Sequence, residues 1–237
     1  MAWTVEDCAL MLDALVDQPS YAKALGRDIA GARIGVVRHF FETDIECDVE
    51  VREAIEEGLR VLERLGARLI PITLPSFADW DTCSRILIYA EAYAIHERDL
   101  MRRPQDYAAV TRARLFSGQV VSAADYLQAL RWRGVLCRDY AQATDGLDAL
   151  VTGNTMTPAP RLDTLFDPPY FTWRYRMAMA PFNLTGAPAL SVCAGFSSDG
   201  LPLSLQFAGR PFDDAAVLAV GHAFEQATPW RDLRPVL

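Results

Sequence analysis

The chain has 237 residues, 51% of them hydrophobic and 23% charged, enough length and apolar content to close one large domain and too much for a disordered tail or a disulfide mini-protein. Its 31 acidic residues outweigh 23 basic ones, for a formal charge of −8, so the surface repels a phosphate backbone and nucleic acid is not expected as a partner. Among the basic residues only Lys23 is a lysine, so any lysine general base or Schiff base would have to use that position.

The five cysteines (Cys8, Cys47, Cys83, Cys137 and Cys193) are widely spaced, odd in number and contain no C-x-x-C. That pattern fits reduced thiols in a cytoplasmic protein rather than a disulfide framework or a zinc ribbon. The N-terminus carries acids where a signal peptide carries Lys or Arg, and no apolar run approaches the ~18 residues of a membrane helix. A soluble, cytoplasmic chain is expected, with no membrane partner, metal or cofactor.

In chain order, Thr4-Val-Glu-Asp7 reads as a capping box, followed at helical spacing by Leu10, Met11, Ala14 and Leu15. A helix this close to Met1 leaves two readings open: a short ordered N-terminus, or a first residue internal to a longer fold. After a loop from Gln18 to Gly31, Arg33-Ile-Gly-Val-Val-Arg38 reads as a strand. Val49 to Leu65 reads as a helix burying Val51, Ile55, Leu59, Leu62 and Leu65, ended by Gly66, and Arg68 to Leu74 as a second strand. This β-α-β unit predicts parallel strands. It lacks a G-x-G-x-x-G after its first strand, so a dinucleotide site is not expected.

Helical patterns follow at Leu87 to Leu100, Tyr107 to Phe116 and Ala123 to Tyr140, the last opened by Ser122 and Asp125. Asp148 to Thr152 reads as a buried strand leading into the proline-stiffened loop Gly153 to Pro160, the kind of place where open α/β sheets put their sites. The last third gives a strand Ala189 to Val192, entered through Gly186 and Pro188, a hairpin turn at Ser197 to Gly200 and a strand Leu203 to Ala208. A helix from Asp214 to Gln226 closes the chain with Val217, Val220, Ala223 and Phe224 inward. One contiguous fold is the economical reading.

Five ordered strings carry a resemblance: Thr4-Val-Glu-Asp7, Arg33-Ile-Gly-Val-Val, Leu150-Val-Thr-x5-Pro-Ala-Pro160, Asn183-Leu-Thr-Gly-x-Pro-Ala-x-Ser191 and Gly200-Leu-Pro-x3-Gln206-x2-Gly209-Arg-Pro-Phe. Together they resemble the C-terminal part of the amidase signature family, serine hydrolases of carboxamides that include the A subunit of the glutamyl-tRNA and aspartyl-tRNA amidotransferase. The resemblance implies an α/β chain: a partial amidase-signature fold, a mixed β-sheet flanked by α-helices, with residues 1–237 forming the C-terminal portion of one domain. It also implies chemistry by a nucleophilic Ser, a bridging Ser in a cis peptide and an unprotonated Lys, with backbone amides for the oxyanion.

All of that machinery belongs to the family's N-terminal half. No Gly-Gly-Ser-Ser-Gly type stretch occurs here, and Lys23 lies in a loop where the family shows nothing catalytic, so no catalytic residue is expected within the chain. The resemblance instead implies a substrate-pocket wall from Thr155, Met156, Met179, Phe182 and Asn183, with Arg112 or Arg114 placed for a substrate carboxylate. Arg176 stands where glutamine-using members carry an Asp for the substrate ammonium, which favours a general amidase unless Arg176 is simply paired at the surface. Cys193, Ser204 and Gly153 depart from the family's common Pro, Gly and Pro.

A small-molecule amide is therefore the expected substrate once an N-terminal catalytic part is supplied, and the chain alone is expected to be inactive. Two alternatives stay open: a fragment like the A chain of a glutamine amidotransferase, or a non-catalytic assembly module whose exposed sheet edge makes homo-oligomers. A Cys-His hydrolase, with His39 beside Cys47 or Cys193, and a metal site find no local signature in the sequence.

Overall fold

The computed structural model describes residues 1–17, 20–161 and 176–233; Gln18, where the first loop reading begins, lies outside them. The elements are α1 (Val5–Asp13), α2 (Tyr21–Ala24), β1 (Arg33–Val36), α3 (Val49–Arg64), β2 (Arg68–Pro71), α4 (Phe77–Arg102), α5 (Ala109–Phe116), α6 (Ala123–Ala143), β3 (Ala149–Gly153), α7 (Ala180–Thr185), β4 (Ala189–Phe196), β5 (Pro202–Ala208) and α8 (Asp214–Gln226). The strands form one mixed sheet in the order β2-β1-β3-β5-β4, flanked by helices as expected.

The β-α-β reading holds: β1 pairs in parallel with β2 on one side and β3 on the other. β5 then runs antiparallel to both β3 and β4. The capping box at α1 forms with both of its bonds, and a second one forms at Ser122–Asp125 on α6. Gly66 (φ +82°) and Gly186 (φ +71°) take the left-handed conformation that ends α3 and α7.

Residues alternate between the sheet's faces. Leu190, Val192, Leu205 and Phe207 share one face, on which α3 and α8 lie: a Cβ on Gly58 of α3 would sit 3.0 Å from Leu205 Cδ2, and one on Gly221 of α8 would sit 2.3 Å from Leu190 Cδ2. Phe207 and Phe224 meet edge-to-face at 5.7 Å in this layer. Elsewhere α4, α6 and α7 pack together around Trp80, Tyr140 and Phe182, whose rings also meet edge-to-face. The buried Tyr140 hydroxyl donates to Gly209 O at 2.7 Å, which joins this helical layer to the end of β5.

Four features differ from the sequence reading. The pattern Leu87 to Leu100 belongs to a helix that starts ten residues earlier, where Ser76 caps Phe77–Arg102. A π-turn at Phe40–Asp44 follows β1. β4 continues to Phe196, past a bulge between Cys193 and Gly195. On α1, which ends at Asp13, Val5 and Ala9 are the buried residues, while Leu10, Met11 and Leu15 are exposed at 53%, 52% and 79%. Periodicity marked an apolar stripe there, and among the described residues nothing covers it.

Candidate functional site

β3 is buried along its whole length and delivers the loop Asn154 to Pro160 at the C-terminal end of the parallel strands. This loop is latched from two sides. Thr155 bridges Met177, Met156 N–H donates to Arg176 O at 2.7 Å, and Ala178 N–H donates to Asn154 O at 2.8 Å. On the other side, Asp48 N–H at the start of α3 donates to Met156 O at 2.8 Å. Gln206 Nε2 of β5 reaches Asn154 Oδ1 at 3.4 Å. Residues distant in sequence therefore fix the loop to the end of the sheet.

The structure brings Thr155, Met156 and Met179 to this latch and separates the other expected pocket residues into different roles. Thr155 is half-buried, and Met179 is exposed as the N-cap of α7. Met156 is fully buried: its sulfur lies 2.9 Å from where a Cβ on Gly153 would be. Phe182 is buried against Tyr140, and Asn183 is exposed on the outside of α7. Arg112 and Arg114 lie on α5, which packs on α4 and the turn at 117–120, and Arg112 donates to Pro104 O at 3.2 Å. Arg176 forms an ion pair with Glu46, the surface pairing that the sequence left as one of its two readings.

A polar row on the sheet accompanies the latch. Thr152 of β3, Gln206 of β5 and Ser191 of β4 are direct cross-strand neighbours, and Ser204 lies beside Gln206 opposite Cys193. These side chains share the face opposite α3 and α8. Thr152 Oγ1, Ser204 Oγ and Gln206 Oε1 are buried and have no hydrogen-bond partner among the described residues, a costly arrangement for a finished core. Gln206 stands in one of the quoted motifs and Ser204 among the departures from the family pattern, and the sequence gave neither a role. The signal was there in Leu203-Ser-Leu-Gln-Phe, where polar residues alternate with apolar ones.

Among the described residues the sheet ends beyond Ser191. Among the described residues β4 pairs with β5 alone, and its outer edge borders a cavity of about 730 Å³ walled by α1, β4 and the C-terminal segment, including Val5, Ser191, Cys193 and Glu225. A second cavity of about 420 Å³, which also touches Cys8 and Leu190, runs on between α1 and α8. Both oxygens of the buried Glu225 carboxylate lie within reach of Val5 N–H, at 3.1 and 3.2 Å. Burial pushes this carboxyl up from its ordinary range, with the Val5 bond opposing.

The described residues also argue against Cys-His chemistry. His39 Nδ1 meets Asp44 Oδ2 at 3.0 Å, and Nε2 accepts from Leu74 N–H at 3.2 Å, so both ring nitrogens are engaged. Burial pushes the Cys47 and Cys193 thiols up, away from the reactive thiolate. Lys23 is exposed on α2.

Comparison with known proteins matches these features to one family, whose description is Amidase, over residues 1–218. The chain belongs to the Amidase family. It is 32% identical to the A subunit of the glutamyl-tRNA(Gln) amidotransferase of Chloroflexus aurantiacus over 273 aligned positions, covering all of this chain and 55% of that protein. It is 34% identical to an amidase of Pseudomonas putida, with 99% of this chain and 53% of the relative covered. Among solved structures, a crystal structure of an amidase superposes with a TM-score of 0.79 at 27% identity, over 94% of this chain and 51% of that one. The chain spans about half the length of the curated relatives it matches, corresponding to their C-terminal part. Among its described residues no helix is long and apolar enough to cross a membrane.

Proposed function

We propose that this chain is the scaffold and substrate-wall portion of a carboxamide-acting enzyme, completed by an N-terminal catalytic portion of the same family and inactive without it. The observation that carries this reading is the latched loop at the end of β3 beside a row of buried, unpartnered polar atoms. Thr152, Ser204 and Gln206 lie buried beside that loop with hydrogen-bonding groups that the described residues leave unused, an arrangement that calls for a polar role rather than a packing one. Serine, a bridging serine and lysine would come from the other portion, because the sole lysine here is exposed on α2 and forms no part of the latch.

Within that reading the loop 154–160, fixed by its bonds to 176–178, forms one wall for the substrate. Rigid attachment matters there because catalysis depends on holding the scissile carbonyl within a few tenths of an ångström of the nucleophile.

The test is direct. The purified chain, given simple carboxamides, is expected to release no ammonia, and a fluorophosphonate probe is expected to label none of its serines. Turnover by the chain alone, or rapid labelling of a serine, would overturn the proposal. A second reading, a non-catalytic assembly module, is favoured by the open edge of β4 and predicts stable homo-oligomers in light scattering.

A further inference from the structure

Gln206 is a long side chain set among short ones. On its face of the sheet its neighbours are Thr152 across on β3, Ser191 across on β4, and Ser204 and Ala208 two residues away on β5. All four are small, which leaves room beside the Gln206 amide. The place is nonetheless closed: Thr152 is 0% and Gln206 5% exposed, and Ser204, half-buried as a residue, has its Oγ buried. Nothing of substrate size enters there.

The three buried atoms are complementary, yet none of them bonds another. Thr152 and Ser204 each carry a hydroxyl hydrogen and lone pairs, whereas Gln206 Oε1 only accepts. Leaving such groups unbonded costs more than a made bond contributes, and a buried water characteristically makes about three hydrogen bonds to polar groups that protein atoms leave unsatisfied. That is the number of groups gathered here. At the other end of the same amide, Gln206 Nε2 donates to Asn154 Oδ1 at 3.4 Å, and Asn154 O accepts from Ala178 N–H at 2.8 Å in the latch.

We infer that Thr152, Gln206 and Ser204 form a seat for one internal water molecule, which ties the end of the sheet to the loop 154–160. The Thr152 hydroxyl donates to the water, the water donates one hydrogen to Gln206 Oε1, and its second hydrogen goes to Ser204 Oγ. Held in this way, the Gln206 amide keeps Nε2 turned to Asn154, and Gln206 acts on the loop as a positioning residue. The seat stands on these three side chains; only the loop's part as a substrate wall rests on the reading proposed above.

The unmodified chain is tested first. A high-resolution crystal structure is expected to show one ordered water within hydrogen-bond distance of all three atoms, and in solution magnetisation is expected to pass from a long-lived water to the Gln206 side-chain amide. Direct bonding among the three groups, or no water between them, overturns the seat. Substitution then tests the sign. Removing an idle buried hydroxyl by Thr152→Val would raise the melting temperature or leave it unchanged. With a water seated on that hydroxyl, the same change strands Gln206 Oε1; it is expected to lower the melting temperature by several degrees and to speed amide exchange at Ala178 about tenfold, while Thr152→Ser keeps the hydroxyl and the water signal. A melting temperature raised or unchanged in Thr152→Val overturns the seat, and a lowered one with unaltered exchange at Ala178 overturns Gln206 as a positioning residue. Should Thr152→Val not fold, Ser204→Ala puts the same question at the half-buried end of the row, with the same two readouts. All of these are measured on the chain itself, so a completed protein that hydrolyses no carboxamide counts against the enzymatic reading and leaves the water seat standing.

Discussion

The two amphipathic helices α1 and α3 have opposite fates. Both are capped at their N-termini, by Thr4 and Asp48, and both carry apolar residues at helical spacing. On α3 that stripe is used: Val51, Ile55, Leu59 and Leu62 are buried against the sheet. On α1 and just after it, Leu10, Met11 and Leu15 are exposed. One flank of the sheet is a finished core and the other leaves apolar residues exposed among the described residues, so an apolar stripe at helical spacing does not by itself fix whether it is buried.

The contrast breaks first in the finished layer. Phe207→Ala removes the ring that packs on Phe224 at 5.7 Å in a fully buried site, and is expected to cost ~3–5 kcal/mol in denaturant unfolding; a loss below ~1 kcal/mol would mean that the α3–α8 layer is loosely packed. Next comes Gly153→Ala at the junction of core and latch. The new Cβ would meet Ile55 Cδ1 at 2.8 Å and Met156 Sδ at 2.9 Å, so an overpacking cost of ~1–3 kcal/mol is expected, with amide protection lost at Met156 and Ala178.

A smaller effect separates the flanks by pH. Burial raises the Glu225 carboxyl, so the folded chain favours its protonated form, and this group costs stability as pH rises through and above the unfolded carboxyl range of about 4.3. Glu225→Gln keeps an acceptor for Val5 N–H. Its melting temperature is expected to exceed that of the parent chain near pH 7, with the gap closing toward pH 4; an unchanged gap across that range would remove Glu225 as its cause. The smallest effect is expected on the open flank, where Met11→Ser changes stability by no more than ~0.5 kcal/mol, because the side chain is already half exposed.

The comparison also sorts what could be read in advance. The β-α-β unit, the capping box at Thr4, the hairpin at Ser197 to Gly200 and the closing helix Asp214–Gln226 all appear as expected, since each rests on local spacing and turn chemistry. α7 and the π-turn at Phe40–Asp44 escaped notice because neither has a repeating pattern long enough to detect. For the site, the loop after β3 was legible from its prolines. Its latch was not, because the bonds from Asp48, Arg176 and Gln206 join residues about 20 to more than 100 positions apart. Met156 and Phe182, expected as pocket wall, are buried in packing; chain position alone carries no information about which way a side chain turns.

Local order in the chain determined most of its elements and the motifs that mark its family, because capping, periodicity and motif spacing are properties of neighbouring residues. Tertiary structure alone decided that β4 would be the last strand among the described residues, that its outward groups would be Ala189, Ser191 and Cys193, and that Thr152, Ser204 and Gln206 would lie side by side with hydrogen-bonding capacity that the described residues leave unused. The reason is strand order: adjacency in a sheet is set by pairing between distant segments, and it is that pairing which fixes where the sheet stops.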